Sequence, residues 1–339
     1  MKPTDFSRYL TYFFTKYMPG EMGASTNTIS SYRDTFILLL TFVKDKKNIK
    51  ADKLSLDIVT KELVLGFLDW IEMERRCCPA TRNVRLAAIH SFYQYLQYQS
   101  PENLLEWQKI LSIPVKRTEA KSVRYMSLEG VKLLFETPDQ STKTGRRDLA
   151  LLSLMYDSGA RVQEVIDLKP SMIRLDKPYT IKLIGKGNKA RIVPIMDAPV
   201  ELLKKYMSEK GLLEPSANMY PLFSNHRKEK FTRAGVNYIL DKYAKLARVK
   251  NPTLIPEPLS CHSLRHSKAM HLLQAGVNLI YIRDILGHSS IQVTEIYAKA
   301  DSRQKREAIE RAYTNVIPKE APLWQTDGDL MEWLKGFIK

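Results

Sequence analysis

Apolar residues recur at steps of three and four through most of this chain, the spacing of helices that bury one stripe. In "TNTISSYRDTFILLLTFVKDKK" the stripe is Ile29, Tyr32, Phe36, Leu39, Leu40 and Val43, with Thr26 or Asn27 as the expected N-cap. "TKELVLGFLDWIEMERR" repeats the pattern. So does "PATRNVRLAAIHSFYQYLQYQ", where Pro79 suits a first helical turn and Leu86, Ile89, Phe92, Tyr93 and Leu96 form the stripe. A short fourth helix is expected after Pro101, and no strand pattern precedes residue 115. Residues 1–113 therefore read as a small helical bundle.

Residues 114–124 are polar, basic and without periodicity, which makes them an interdomain linker. Residues 125–315 return to helical patterns, beginning with "SLEGVKLLFETP" capped by Ser127 and "RRDLALLSLMYDSG". The clear strand signal is "YTIKLIGKGNKARIVPIM", two apolar runs around a glycine-containing turn. After it come "RAGVNYILDKYAKLARV", "HSLRHSKAMHLLQAG", "NLIYIRDILG", "SSIQVTEIYAKA" and "SRQKREAIERAYTNV", all helical. The fold class is thus mainly α with a small antiparallel β-sheet. Residues 316–339 form a tail whose short amphipathic helix carries Leu330, Trp333, Leu334 and Phe337 on an extended tether.

Composition narrows the partner. The 339 residues carry 53 Lys and Arg against 37 Asp and Glu, a net charge of +16. The excess is +6 over residues 1–124 and +10 over the remainder, so both halves suit a polyanion. Cys77, Cys78 and Cys261 show no zinc spacing and suit a reducing, cytosolic compartment. No apolar run is long enough for a membrane helix, and the first twenty residues do not read as a signal peptide.

Six residues offer a chemistry. His262 and Arg265 lie on one face of a helix, in the first turn after Ser260, where free backbone N–H groups favour a phosphate. Arg161 follows Gly159 at a helix start. Lys186 sits in the turn "GKGNKAR", which lacks the phosphate-loop frame. His288 and Tyr297 lie in "LGHSSIQVTEIY", a helix, a glycine turn and a second helix capped by Ser289 or Ser290. His262, His266 and His271 have no zinc signature, and no carboxylate cluster suits paired magnesium ions, so no metal or other cofactor is expected. Two arginines, two histidines, a lysine and a tyrosine are what metal-free phosphoryl transfer requires: guanidiniums for the non-bridging oxygens, a phenol nucleophile, and groups to move its proton and the leaving group's.

These motifs resemble the tyrosine recombinase (phage integrase) family over nearly the whole chain, in its two-domain, Xer-like or transposon-integrase form. "SGARVQEV" is similar to the first arginine box, "CHSLRHS" to the H-x-L-R-H box and "LGHSSIQVTEIY" to the L-G-H…Y box. "TRNVRLAAIHSFYQYL" resembles part of the core-binding domain. Gln163, Cys261, Ala160 and Val293 depart from common family choices without removing a reactive group. The resemblance implies that Tyr297 attacks a DNA phosphodiester to give a 3′-phosphotyrosine and a free 5′-hydroxyl. Arg161, Arg265 and His288 then hold the phosphate, His262 accepts the proton and Lys186 protonates the leaving oxygen. It also implies a chain that is a monomer or weak dimer when free and a homo-tetramer in a synapse on double-stranded recombination sites, its tail helix docking on a neighbouring protomer. The setting implied is the bacterial cytoplasm, on the nucleoid. Arg82, Arg85, Lys186 and Lys189 are candidate DNA contacts. A topoisomerase-like enzyme without a synapse and a non-catalytic DNA-binding protein are the competing readings.

Overall fold

The computed structural model describes residues 3–118, 123–300 and 330–336. The expected helix over "SRQKREAIERAYTNV" and part of the linker lie outside them. The chain divides into two compact units, Met1–Lys121 and Ser122–Lys339.

In the first unit, α1 (Asp5–Tyr12) runs into a wide π-type turn (Phe13–Glu21). There follow α2 (Thr26–Lys47), α3 (Lys61–Met73), α4 (Pro79–Gln99) and α5 (Leu104–Leu111). The π-type turn was not expected from the sequence, although its Phe13 and Met18 are fully buried. The cap of α2 is Ser25, not Thr26 or Asn27: its backbone is extended and its hydroxyl accepts the Thr28 N–H. The expected stripes face one another. Phe36 and Phe13 each set their ring edge-on to Phe92, with centroids 5.3 Å apart, and Phe42, Phe67 and Trp70 pack beside them.

The second unit is built on α7 (Lys143–Ser158). Residues 148–155 of this helix are buried on every side, and it packs against α6 (Leu128–Phe135), α9 (Asp197–Glu209) and α11 (Cys261–Gln274). A three-stranded antiparallel sheet in the order β1 (Ile173–Arg174), β2 (Thr180–Ile184), β3 (Ala190–Pro194) turns Ile181, Leu183 and Val193 into the core. The sequence showed β2 and β3; β1, at two residues, is too short to leave a periodic trace. The short α8 (Val162–Ile166) and long α10 (Arg233–Lys250) complete the main core. Against α11 lie α12 (Leu279–Leu286) and α13 (Gln292–Ala300), which enclose a smaller cluster of Ala269, Met270, Leu273, Ile282, Leu286 and Tyr297. The tail helix is α14 (Leu330–Gly336).

Candidate active site

Three turns in the second unit bring the polar residues together. The first ends α7 at Gly159, whose φ of 58° is a left-handed conformation that suits glycine. A Cβ there would meet the Leu286 side chain at 2.8 Å. The chain then reverses into α8, and Arg161 stands at that helix's N-cap. Its backbone N–H donates to Glu164 Oε2 at 2.8 Å, and its guanidinium donates to Glu164 Oε1 at 3.1 Å and to the Gly287 carbonyl at 3.2 Å. The side chain remains 35 % exposed, so part of the guanidinium faces outward.

The second turn opens α11. Ser260 and Ser263 cap it reciprocally, each hydroxyl accepting the other's backbone N–H. Arg265 follows within the first turn and a half and is 3 % exposed. Its two terminal nitrogens donate to the Gly159 carbonyl at 2.7 Å and the Leu286 carbonyl at 2.6 Å. Burial, followed by the nearby Arg161 charge, lowers this guanidinium to about 10, which still leaves it charged near neutral pH. The guanidinium is thus fixed by main-chain oxygens that carry no formal charge.

The third turn ends α12 at Gly287, with φ of 64°, and delivers His288. A Cβ on Gly287 would lie 2.8 Å from Arg191 Nη1. That arginine, on β3, was not singled out by the sequence. It grips both Glu164 oxygens at 2.7 and 2.9 Å and donates through Nε to the Ile285 carbonyl at 2.8 Å. Burial raises the Glu164 carboxyl, but the hydrogen bonds from Arg191 and the Arg161 backbone outweigh it, and the group lies below its usual value. Arg191 therefore ties the hairpin to the turn carrying His288, with Glu164 as the bridge to Arg161.

Tyr297 closes the pocket. Its helix starts at Gln292, later than a cap at Ser289 or Ser290 would give, and the tyrosine is 1 % exposed. His288 lies nearly parallel to its ring, 6.3 Å between centroids and 11° between planes, and shares a 2.9 Å hydrogen bond from Nδ1 with Thr294 Oγ1. The phenol oxygen meets His266 Nδ1 at 2.9 Å. Burial raises the phenol, while Arg265 and Arg161 pull it back. Burial and the same arginines hold His288 down to about 4, and burial, His262 and Arg265 hold His266 to about 4. His262 is also lowered, by burial first. Its ring stands edge-on to that of His266, 5.5 Å away. His266 was considered in the sequence only as a metal ligand. Its signal was present all the same, in the last letter of the H-x-L-R-H box, one residue after Arg265.

Among the described residues, no group of three or more His, Cys, Asp or Glu side chains is placed to hold a metal ion. His271 instead shares a 2.8 Å hydrogen bond with the Tyr156 hydroxyl. Lys186 begins the turn between β2 and β3, and Lys189 is exposed at its end. Arg82 and Arg85 differ from expectation, because both turn into the helical bundle. Arg82 is 4 % exposed, lies 3.6 Å from Glu72 and donates to the Pro114 carbonyl. Arg85 donates to the Ser31 carbonyl and to Thr35 Oγ1. Periodicity places such residues on a helix face; it does not say what covers that face.

Known proteins resemble this chain in sequence and in fold. The sequence profile of the phage integrase family matches residues 124–304, and that of the phage integrase N-terminal SAM-like domain matches residues 13–100. A Sinorhizobium fredii protein assigned as integrase/recombinase y4rC is 33% identical, over 96% of each chain. Tyrosine recombinase XerD of Staphylococcus epidermidis is 31% identical, over 90% of this chain and 97% of its own. The fold is similar to that of XerH site-specific recombinase in a post-cleavage complex with its difH substrate. That likeness has a TM-score of 0.69 and 24% identity, over 85% of this chain and 80% of that one.

Proposed function

This chain belongs to the phage integrase family, and we propose that it is a site-specific recombinase that breaks and rejoins double-stranded DNA through a covalent 3′-phosphotyrosine on Tyr297. The observation that carries this reading is the Tyr297 oxygen, held against a neutral histidine within the field of Arg161 and Arg265. Arg161, Arg265 and His288 bind the non-bridging oxygens and stabilise the charge that grows on them in the transition state. His262 accepts the proton of the phenol, and Lys186, in the hairpin turn, protonates the departing 5′ oxygen. The phosphotyrosine keeps the energy of the broken bond, so a 5′-hydroxyl from a second duplex reverses the step without ATP or metal.

Residues 1–113 and 125–315 act as the core-binding and catalytic domains. Four protomers meet in the synapse, with α14 docked on a neighbour, and the work is done on DNA in the cytoplasm. Among the described residues, no helix is long and apolar enough to cross a membrane. A nicked suicide duplex, selected from a randomised pool by covalent capture, tests the reading. The wild-type chain forms a denaturant-resistant adduct in the presence of EDTA, and Tyr297→Phe binds the same duplex without one. An adduct that survives Tyr297→Phe overturns the assignment.

A further inference from the structure

We infer that Lys268 is a positioning residue: paired with Asp157, it holds the Gly159 turn on which the seat of Arg265 and the placement of Arg161 depend. The inference rests on the recombinase reading of this pocket and goes beyond it. Lys268 follows Arg265 by three residues on α11, so both side chains leave the same face of that helix. That face meets the end of α7 twice. Arg265 donates to the Gly159 carbonyl at 2.7 Å, and Lys268 Nζ donates to Asp157 Oδ1 at 2.9 Å. The lysine stem lies beside the same glycine, because a Cβ on Gly159 would stand 3.9 Å from Lys268 Cγ. Its ammonium sits 5.4 Å from the centre of the Tyr156 ring. The other Asp157 oxygen accepts the Met196 N–H at 2.9 Å, where the chain leaves β3 and enters α9.

Stability alone does not account for the pair. Both side chains are largely out of water, the lysine 17% exposed and the aspartate 7%. Asp157 also stands in the last turn of α7, at the negative end of the helix dipole, and that turn carries no basic residue of its own. Desolvation offsets much of the attraction between such groups, so a buried pair adds little net stability over apolar side chains of the same size. What it adds is direction. A charged hydrogen bond fixes distance and angle between two helices, where a methionine would only fill the space. Direction matters here because Arg265 is seated on a carbonyl of the turn, and a guanidinium that draws in a phosphate pulls on that carbonyl. Asp157 anchors the turn from α7 and, through Met196, from the end of β3. Arg161, two residues beyond Gly159, shares the anchor.

Lys268→Met combined with Asp157→Asn removes both charges and keeps an oxygen for the Met196 N–H. At saturating amounts of the captured suicide duplex, this double variant should form adduct more slowly than wild type by about 10–100-fold, with DNA binding unchanged. A methylphosphonate at the scissile position shows how the loss arises, because it removes a negative charge that the guanidiniums offset. Arg265→Ala should lower the ratio of phosphodiester to methylphosphonate rates, and the double variant should lower it in the same direction. General loosening of the fold would slow both substrates alike and leave the ratio where it was. In the wild-type protein without DNA, nitrogen NMR should show the Lys268 ammonium as a slowly exchanging signal. Cleavage by the double variant at the wild-type rate, an unchanged ratio, or an ammonium that exchanges as fast as those of surface lysines overturns the inference while the recombinase reading stands. If the wild-type chain forms no adduct with any duplex in the pool, both fall together.

Discussion

Two pairs of arginines, one in each unit, separate what the two halves of the molecule do with positive charge. Arg82 and Arg85 lie three apart on α4 and join the bundle interior, where they tie α4 to α3 through Glu72 and to α2 through Ser31 and Thr35. Each has an Nε without a hydrogen-bond partner. Arg161 and Arg265 come from different helices, and both reach main-chain carbonyls of the two glycine turns. Only Arg82 of the bundle pair meets a carboxylate; in the second unit Arg161 shares Glu164 with Arg191, whereas Arg265 has carbonyl partners alone, which fix its geometry and leave its charge in place. The bundle uses its guanidiniums as struts, whereas those of the second unit stand around the Tyr297 phenol.

The sharpest way to break this comparison is to truncate one arginine of each pair. Arg265→Ala should cost about 10²–10³-fold in covalent adduct formation with little change in DNA binding, whereas Arg85→Ala should leave the cleavage rate at saturating DNA within a few-fold and register in thermal unfolding. An equal loss of rate from both would erase the distinction. Next comes the bundle's aromatic core: Phe92→Ala should destabilise the chain by about 3–5 kcal/mol in a denaturant titration, with the catalytic turns still protected from hydrogen exchange. Gly287→Ala should cost about 1–3 kcal/mol, because it forces a side chain into a left-handed backbone and against Arg191, and should slow cleavage by disturbing the carbonyl that Arg161 reaches.

Acid should separate the units less abruptly. His266 and His288 are held near 4, and His262 and His271 are also lowered, against His90 alone in the bundle. Below the ordinary imidazole value of about 6.5, the unfolded chain binds protons that the folded one resists. This stabilisation is complete above that pH and is lost as pH falls towards 4. Hydrogen exchange at pH 5 should therefore show the second unit loosening before the first. The smallest effect is expected at Arg82→Met. It removes one side of an ion pair in which Lys116 still serves Glu72, and it should leave the salt dependence of DNA binding unchanged, where loss of a true phosphate contact lowers the slope by about 0.9.

Much of this architecture was legible because its signals are local. Stripes such as Phe36, Leu39 and Val43 need only a helix to reach the core, and β2 and β3 announce themselves on either side of one turn. The clustering of Arg161, Arg265, His288 and Tyr297 was legible for another reason: they sit in boxes whose spacing is distinctive when read together. The illegible parts depend on partners far along the chain. Arg191 acquires its meaning from Glu164 and from the Ile285 carbonyl, 94 positions away. Nothing near Arg82 in sequence announces that Glu72 and the Pro114 carbonyl will cover it. His266 lay in plain view, but a histidine one place past an arginine looks ordinary until a phenol from position 297 arrives beside it.

The carbonyl seat of Arg265 bears on how such a pocket can persist while sequences drift. Any amino acid supplies a main-chain oxygen, so no particular side chain at 159 or 286 has to be inherited for that contact to survive. What has to be inherited is the curvature of the two turns, and for that a pair of glycines suffices.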